Sequence, residues 1–278
     1  MSIWYTLCDL LPFEMLHWDF MKNALLALLL MAPLFGLLST MIVTGRMSFF
    51  SDALGHSAFT GIAIGALCGL APTGVAVVFS VGFALLFSYV RSRSNQTADT
   101  IIGVFSSTAV ALGIFIATLG GNSFTKYNNY LIGDVLSVTP GEIGLLALTL
   151  AGIVVFWLLA GNRLVLTSIH PHLASSRGIR VKGTQTLFTA AIAVVVTLSI
   201  SWVGLLMLNS LLVLPAAAAR NVAKNLKQYH ALSVLFALIA GIGGLAVSYF
   251  LGSSSGAAIS LCLAVIFAIT FACRKKTA

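Results

Sequence analysis

The chain has 278 residues, 59% of them hydrophobic and 8% charged. A soluble domain carries about 25% charged residues, so this composition excludes an ordinary soluble fold. The net charge of +8 collects at the ends of apolar runs, where it reports membrane orientation rather than a nucleic-acid surface.

Residues 1–22 come first. Trp4, Tyr5, Phe13, Trp18 and Phe20 mix with Asp9, Glu14 and Asp19, a pattern expected of a segment lying in the membrane interface. No Lys or Arg precedes Lys22, so the segment does not read as a signal peptide. Apolar runs follow at 23–45, 52–70, 73–90, 99–119, 142–161, 184–202, 203–219, 230–250 and 253–273. Each is close to the roughly 20 residues that span a bilayer. They are continuously apolar, whereas a β-barrel strand alternates. The predicted class is all-α: a polytopic helical membrane protein with about eight or nine transmembrane helices. They form one transmembrane domain over 23–273, with a tail at 274–278. The stretch 184–219 would be about 54 Å long as one helix, too long for a bilayer. Ser199, Ser201 and Gly204 supply a break.

Charge placement checks the topology. Arg46, Arg91 and Arg93, Arg163 to Lys182, Arg220 to Lys227, and Arg274 to Lys276 each follow an odd-numbered run. With nine runs, 13 of the 15 basic residues fall on one side, which the positive-inside rule makes cytoplasmic. The C-terminus is then cytoplasmic and the N-terminus external. The stretch 120–142 is an external loop. The stretch 163–183 is the main polar cytoplasmic feature, and "PHLASSRG" within it is predicted to form a short helix ending at Gly178.

The second run opens with "SDALGHSAFTGIAIG". In a helix Asp52, His56 and Thr60 share one face, and one position along, Ala53, Ser57, Gly61, Gly65 and Gly69 make a row of small residues. Such a row lets helices approach closely. An intramembrane carboxylate and imidazole must face protein or a water-filled path. Together they suit a divalent metal such as zinc or manganese, or a hydrogen-bonded tie between helices. Two ligands do not complete a site. Asp134, in "GDVLS", is either a cation-guiding acid or an ordinary loop residue and cap. His170 and His172 flank a proline in a cytoplasmic loop and read as surface residues. Cys8, Cys68, Cys262 and Cys273 are scattered without a CxxC pair and read as small helix-filling residues.

Catalytic signatures are missing. The chain has no GxxxxGK[ST], GxSxG or HExxH motif, and seven acids leave little for enzymology. The expected class is a transporter, channel or structural membrane protein with no enzymatic activity and no bound cofactor of its own.

Three stretches then resemble one family. "FMKNALLALLLMAPLFGLLSTMIVTGRMSFFSDALGHSAFTGIAIG" looks like the opening signature of the permeases of bacterial ABC importers for zinc and manganese, the metal-ion ABC-3 family. "GDVLSV" is similar to that family's external loop motif, and "VGLLMLNSLLVLPAAAARNVA" resembles its late motif. The resemblance covers about Phe20 to Ala272. It implies the ABC importer permease fold, working as a homodimer in the cytoplasmic (inner) membrane of a bacterium. Two separate ATP-binding cassette subunits and an extracytoplasmic metal-binding protein would be its partners, with membrane lipid around it and no nucleic acid. The coupling helix that touches the ATPase maps to His170, Pro171, His172, Leu173, Ala174, Arg177 and Gly178, although the family has an acidic residue ahead of the alanine. Gly252 and Ser254 stand where the family usually carries an aspartate and a proline, and Asn209 where it has a smaller residue. Asp52 and His56 are the expected metal contacts in the translocation pathway. Three other readings share the composition: a permease for a metal chelate such as iron-siderophore or cobalamin, a proton-driven secondary metal transporter, and a non-transporting scaffold.

Overall fold

The chain's computed structural model describes residues 2–9, 14–119 and 135–274. All regular structure among them is helical. A short helix α1 (Ser2–Asp9) and a 3₁₀ turn (Glu14–His17) precede the long helix α2 (Asp19–Thr44). Then come α3 (Phe50–Leu67), α4 (Pro72–Arg93) and α5 (Ala98–Thr118). After the 3₁₀ turn Val135–Ser137 follow α6 (Pro140–Ile169), α7 (Pro171–Ser176) and α8 (Val181–Val203). The chain closes with α9 (Leu205–Val222), α10 (Leu226–Leu251) and α11 (Ser255–Ala272).

Each of the nine predicted runs coincides with one of these helices. Eight are long and apolar enough to cross a membrane; α3, with Ser, Asp, His and Thr among its 18 residues, is not among them. The break predicted in 184–219 is present. Gly204 takes φ +74° between α8 and α9, a backbone that residues with a Cβ rarely adopt. One boundary moves. The apolar pattern of Leu164, Val165, Leu166 and Ile169 carries α6 through to Ile169, so little of the loop expected at 163–183 is irregular.

Local chemistry explains the ends. Thr139 and Glu142 form a reciprocal capping box on α6: Thr139 donates its N–H to Glu142 Oε2 at 2.8 Å, and Glu142 donates its N–H to Thr139 Oγ1 at 3.4 Å. Thr97 and Asn225 accept from the first turns of α5 and α10. At the end of α2, Arg46 takes φ +54° while Met47 donates to Ile42 O at 2.9 Å and Arg46 donates to Val43 O at 3.2 Å. That is a Schellman stop with an arginine where glycine is usual.

The chain divides into two compact units. One comprises Met1–Thr40, Ile132–Val155 and Trp202–Ala278; the other comprises Met41–Leu131 and Phe156–Ser201. In the first unit α2 lies against α10. Ser233 donates to Gly36 O at 2.7 Å and pairs with Ser39 Oγ at 2.9 Å, and His230 Nδ1 meets Thr40 Oγ1 at 2.8 Å. Helices α9, α10 and α11 pack mutually, and a Cβ on Gly244 of α10 would lie 2.5 Å from Ile259 Cα of α11. The N-terminal segment is pinned to the start of α2, with Trp4 Nε1 donating to Lys22 O at 2.9 Å and Tyr5 Oη to Asn23 Oδ1 at 2.8 Å.

In the second unit α3 packs against both α4 and α5. Phe50, Phe83, Phe87 and Phe105 from these three helices form an aromatic cluster, with Phe50 stacked on Phe87 at 4.3 Å. The cluster fixes the first turn of α3, where Asp52 sits.

Candidate functional site

The site begins with how α3 is held. Its small-residue edge meets α4. A Cβ on Gly61 would lie 2.5 Å from Ala76 Cα, and one on Gly65 would lie 2.8 Å from Pro72 Cα. Ser57 donates to Ser80 Oγ at 3.1 Å on the same edge. Gly69 does something different from the packing expected of it. It lies beyond the end of α3 with open space around it and φ +68°, so it makes the turn into α4.

The neighbouring polar edge of α3 meets α5. Thr60 Oγ1 donates to Ala109 O at 2.8 Å. Gly113 of α5 makes room here, since its Cβ would lie 2.7 Å from Phe59 Cδ1 and 2.8 Å from Thr60 Oγ1. One turn and two turns before Thr60 come His56 and Asp52. His56 Nε2 is 3.6 Å from Asp52 Oδ2, and the side chains are 24% and 40% exposed respectively. Ser106 of α5 donates to the same Asp52 Oδ2 at 3.4 Å. Sequence reasoning missed Ser106 and Gly113. Ser106 is one polar residue in "SST", and nothing local marks it as the one facing Asp52.

The geometry is informative. A separation of 3.6 Å is beyond hydrogen-bond range, and both groups lie on one helix, so the pair itself does not tie helices together. Bonds of about 2.1 Å to a tetrahedral ion would place a nitrogen and an oxygen ligand about 3.4 Å apart. The observed spacing is close to that edge length. Asp52 also lies in the first turn of α3, where the helix dipole favours a negative charge. Among the described residues no cluster of three or more His, Cys, Asp or Glu could hold an ion. Two such groups alone do not complete a coordination shell.

The remaining predicted residues lie elsewhere. Asp134 falls outside the described residues. His170 caps α7, Pro171 occupies its first turn, and His172 and Leu173 are exposed while Ala174 is fully buried. The end of α7 is a complete Schellman motif: Gly178 has φ +75°, Gly178 donates to Ser175 O at 3.0 Å, and Ile179 donates to Ala174 O at 3.0 Å. The short helix predicted to stop at Gly178 is thus present, with Arg177 as its C-cap. Gly252, with φ +61°, caps α10, and Ser254 is the N-cap of α11.

The family model for the ABC 3 transport family matches residues 17–274. The chain belongs to this family. It is 30% identical over 255 residues to the manganese import system permease protein ScaB of Streptococcus parasanguinis, covering 92% of this chain and 91% of that one. It is 28% identical over 243 residues to the high-affinity zinc uptake system membrane protein ZnuB of Haemophilus influenzae, covering 86% and 92%. Among solved structures, it is similar to PsaBC from Streptococcus pneumoniae in complex with Fab, with a TM-score of 0.81 and 27% identity over 98% of this chain and 95% of that chain. Membership, together with eight apolar helices, makes the chain a multi-pass membrane protein with the ABC permease fold. The match spans both compact units and includes α3, α5 and α7.

Proposed function

We propose that this chain is the membrane-spanning subunit of an ABC-type importer that passes a divalent metal ion, zinc or manganese, into the bacterial cytoplasm. The observation that carries the reading is the Asp52–His56 pair: one carboxylate and one imidazole, 3.6 Å apart and partly shielded on a protein-packed helix. The chain's relatives are named as zinc and manganese permeases, which agrees with that ligand chemistry. A spacing matched to a bare ion favours a free cation over a chelate such as iron-siderophore or cobalamin.

The pair supplies two ligands, and a zinc-like ion takes four. A second copy of the permease, related by a two-fold axis, brings the other Asp and His; this supports a homodimer whose pore the ion crosses. Held by four such ligands, the ion is cargo, so the contact must be weak enough to release it. Ser106 keeps the carboxylate oriented toward His56 when the ion has left. The chain hydrolyses nothing itself. ATP is hydrolysed by two separate cassette subunits, which press on α7 from the cytoplasmic side. An extracytoplasmic metal-binding protein delivers the ion to the external face. With α3 counted as a ninth crossing, the basic residues set this orientation, with the C-terminus inside the cell and the N-terminus outside. Closure of the ATPases shifts the permease between outward- and inward-facing states.

The test is elemental mass spectrometry of metal-starved cells with this chain, without it, and with Asp52→Ala or His56→Ala. The expected result is loss of cellular zinc or manganese without the chain and in each variant, with the variant proteins still present in the membrane. Normal metal content in both variants would sink the proposal. Loss of iron or cobalt in place of zinc and manganese would support a chelate cargo. Uptake that persists without an ATPase and collapses with the proton gradient would support a secondary transporter.

A further inference from the structure

Where α6, α7 and α8 meet, Arg163, Arg177 and Arg180 line one recess of about 560 Å³. Thr184 lines the same recess, and Ala160 and Leu187 are among its apolar lining residues. No carboxylate lines the recess. Among the described residues none of these arginines takes part in an ion pair. The compact unit that holds the recess has two acids, Asp52 and Asp99. Asp52 is engaged with His56 and Ser106, and Asp99 lies in the first turn of α5. Three arginines thus line one recess, and neither acid of their own unit lines it.

The surroundings say what would. Leu159 is one helical turn before Arg163, on the same face of α6. It is 77% exposed, and Leu187 on α8 is 56% exposed. A cationic recess that opens onto exposed apolar helix faces matches a molecule with an anionic head and a hydrocarbon tail. Guanidinium forks fit phosphate oxygens in pairs. Basic pockets on the cytoplasmic side of membrane proteins attract acidic lipid head groups.

We propose that Arg163, Arg177 and Arg180 form a binding site for the phosphate head group of an acidic phospholipid, whose acyl chains lie along Leu159 and Leu187. Three positive charges suit a head group with two phosphates best. The inference rests on the cytoplasmic orientation given above and is independent of the metal carried. Because Arg177 caps α7, a lipid here would brace the helix assigned to ATPase contact.

The experiment uses the full chain in nanodiscs of phosphatidylcholine doped with a minor fraction of phosphatidylglycerol or diphosphatidylglycerol. Lipids retained on the released protein are identified by native mass spectrometry. Wild type is expected to retain the acidic lipid selectively, the diphosphate form most strongly. At about fivefold per cation, R163Q/R177Q/R180Q should lower retention roughly a hundredfold. R220Q/R274Q, two basic residues elsewhere on the same side, should leave retention unchanged. Should the triple variant fail to fold, each single Gln variant is expected to lose about fivefold. Equal retention of phosphatidylcholine, no loss in the variants, or an equal loss in R220Q/R274Q would overturn the proposal. Displacement of the lipid by inorganic phosphate alone would make it a free-anion site. Unchanged lipid retention with lost capture of the purified ATPase subunit would make it a protein-docking surface. Each of these results is separable from the metal-uptake assay.

Discussion

Gly61→Ala tests whether the seat of α3 controls the site. The added Cβ would lie 2.5 Å from Ala76 Cα, with Ala76 N and Phe79 Cβ at 3.2 Å. Carbon atoms rest about 3.5–4.0 Å apart, so the helices must open by about 1.0–1.5 Å. The obstructing atom is backbone of a fully buried residue, which cannot swing aside as a side-chain tip could. Overpacking of this kind costs about 1–3 kcal/mol. Alanine regains up to about 1 kcal/mol of helix propensity over glycine. The net expectation is destabilisation by about 1–2 kcal/mol. Gly74→Ala on α4 meets nothing within 4 Å and should be neutral or slightly stabilising. Thermal unfolding of both purified variants in detergent reads the contrast. Metal uptake reads its consequence, because pushing α3 off α4 shifts Asp52 relative to Ser106. A Gly61→Ala protein as stable as Gly74→Ala, with normal uptake, refutes the claim that backbone contact between α3 and α4 positions the pair.

Four further outcomes are expected. Ser106→Ala removes one hydrogen bond to Asp52, worth about 1 kcal/mol, and should lower uptake several-fold, less than Asp52→Ala does in the same assay. Arg46→Gly relieves a left-handed residue and should stabilise the chain by about 1 kcal/mol in thermal unfolding. Gly178→Ala puts a Cβ at φ +75° and should weaken the α7 stop by about 1 kcal/mol, seen as faster local hydrogen exchange at Arg177–Ile179. Replacing residues 170–179 by a Gly/Ser linker should abolish capture of the ATPase subunit in a pull-down; undiminished capture would count against α7 as the coupling element.

Much of this molecule was legible in sequence because membrane helices announce themselves locally. Backbone groups in lipid must bond within their own segment, so length and hydropathy define α2, α4 and the later spans directly. The break at Gly204 and the stop at Gly178 were legible for a similar reason: glycine supplies a left-handed backbone that neighbouring residues do not. The continuation of α6 to Ile169 was less visible, since Arg163 looked like the end of a span when it is a cation on a continuing helix. In the row on α3, Gly61 and Gly65 stand one turn apart and each lies close to the backbone of α4. Gly69 shares that spacing but lies past the end of the helix, where periodicity no longer applies.

The sequence by itself determined that the chain is helical and membrane-embedded, where its spans fall, and that Asp52 and His56 share a face. Those properties follow from composition, period and length, all of which act over a few turns. Tertiary structure alone decided that α3 is enclosed by α4 and α5, that Ser106 reaches Asp52 across 54 residues of sequence, and that Arg163 joins Arg177 and Arg180 in one recess. These depend on which helix faces meet. In an apolar chain nearly every face is hydrophobic, so packing is selected by the few places where a glycine lets backbones touch or a hydroxyl finds a partner.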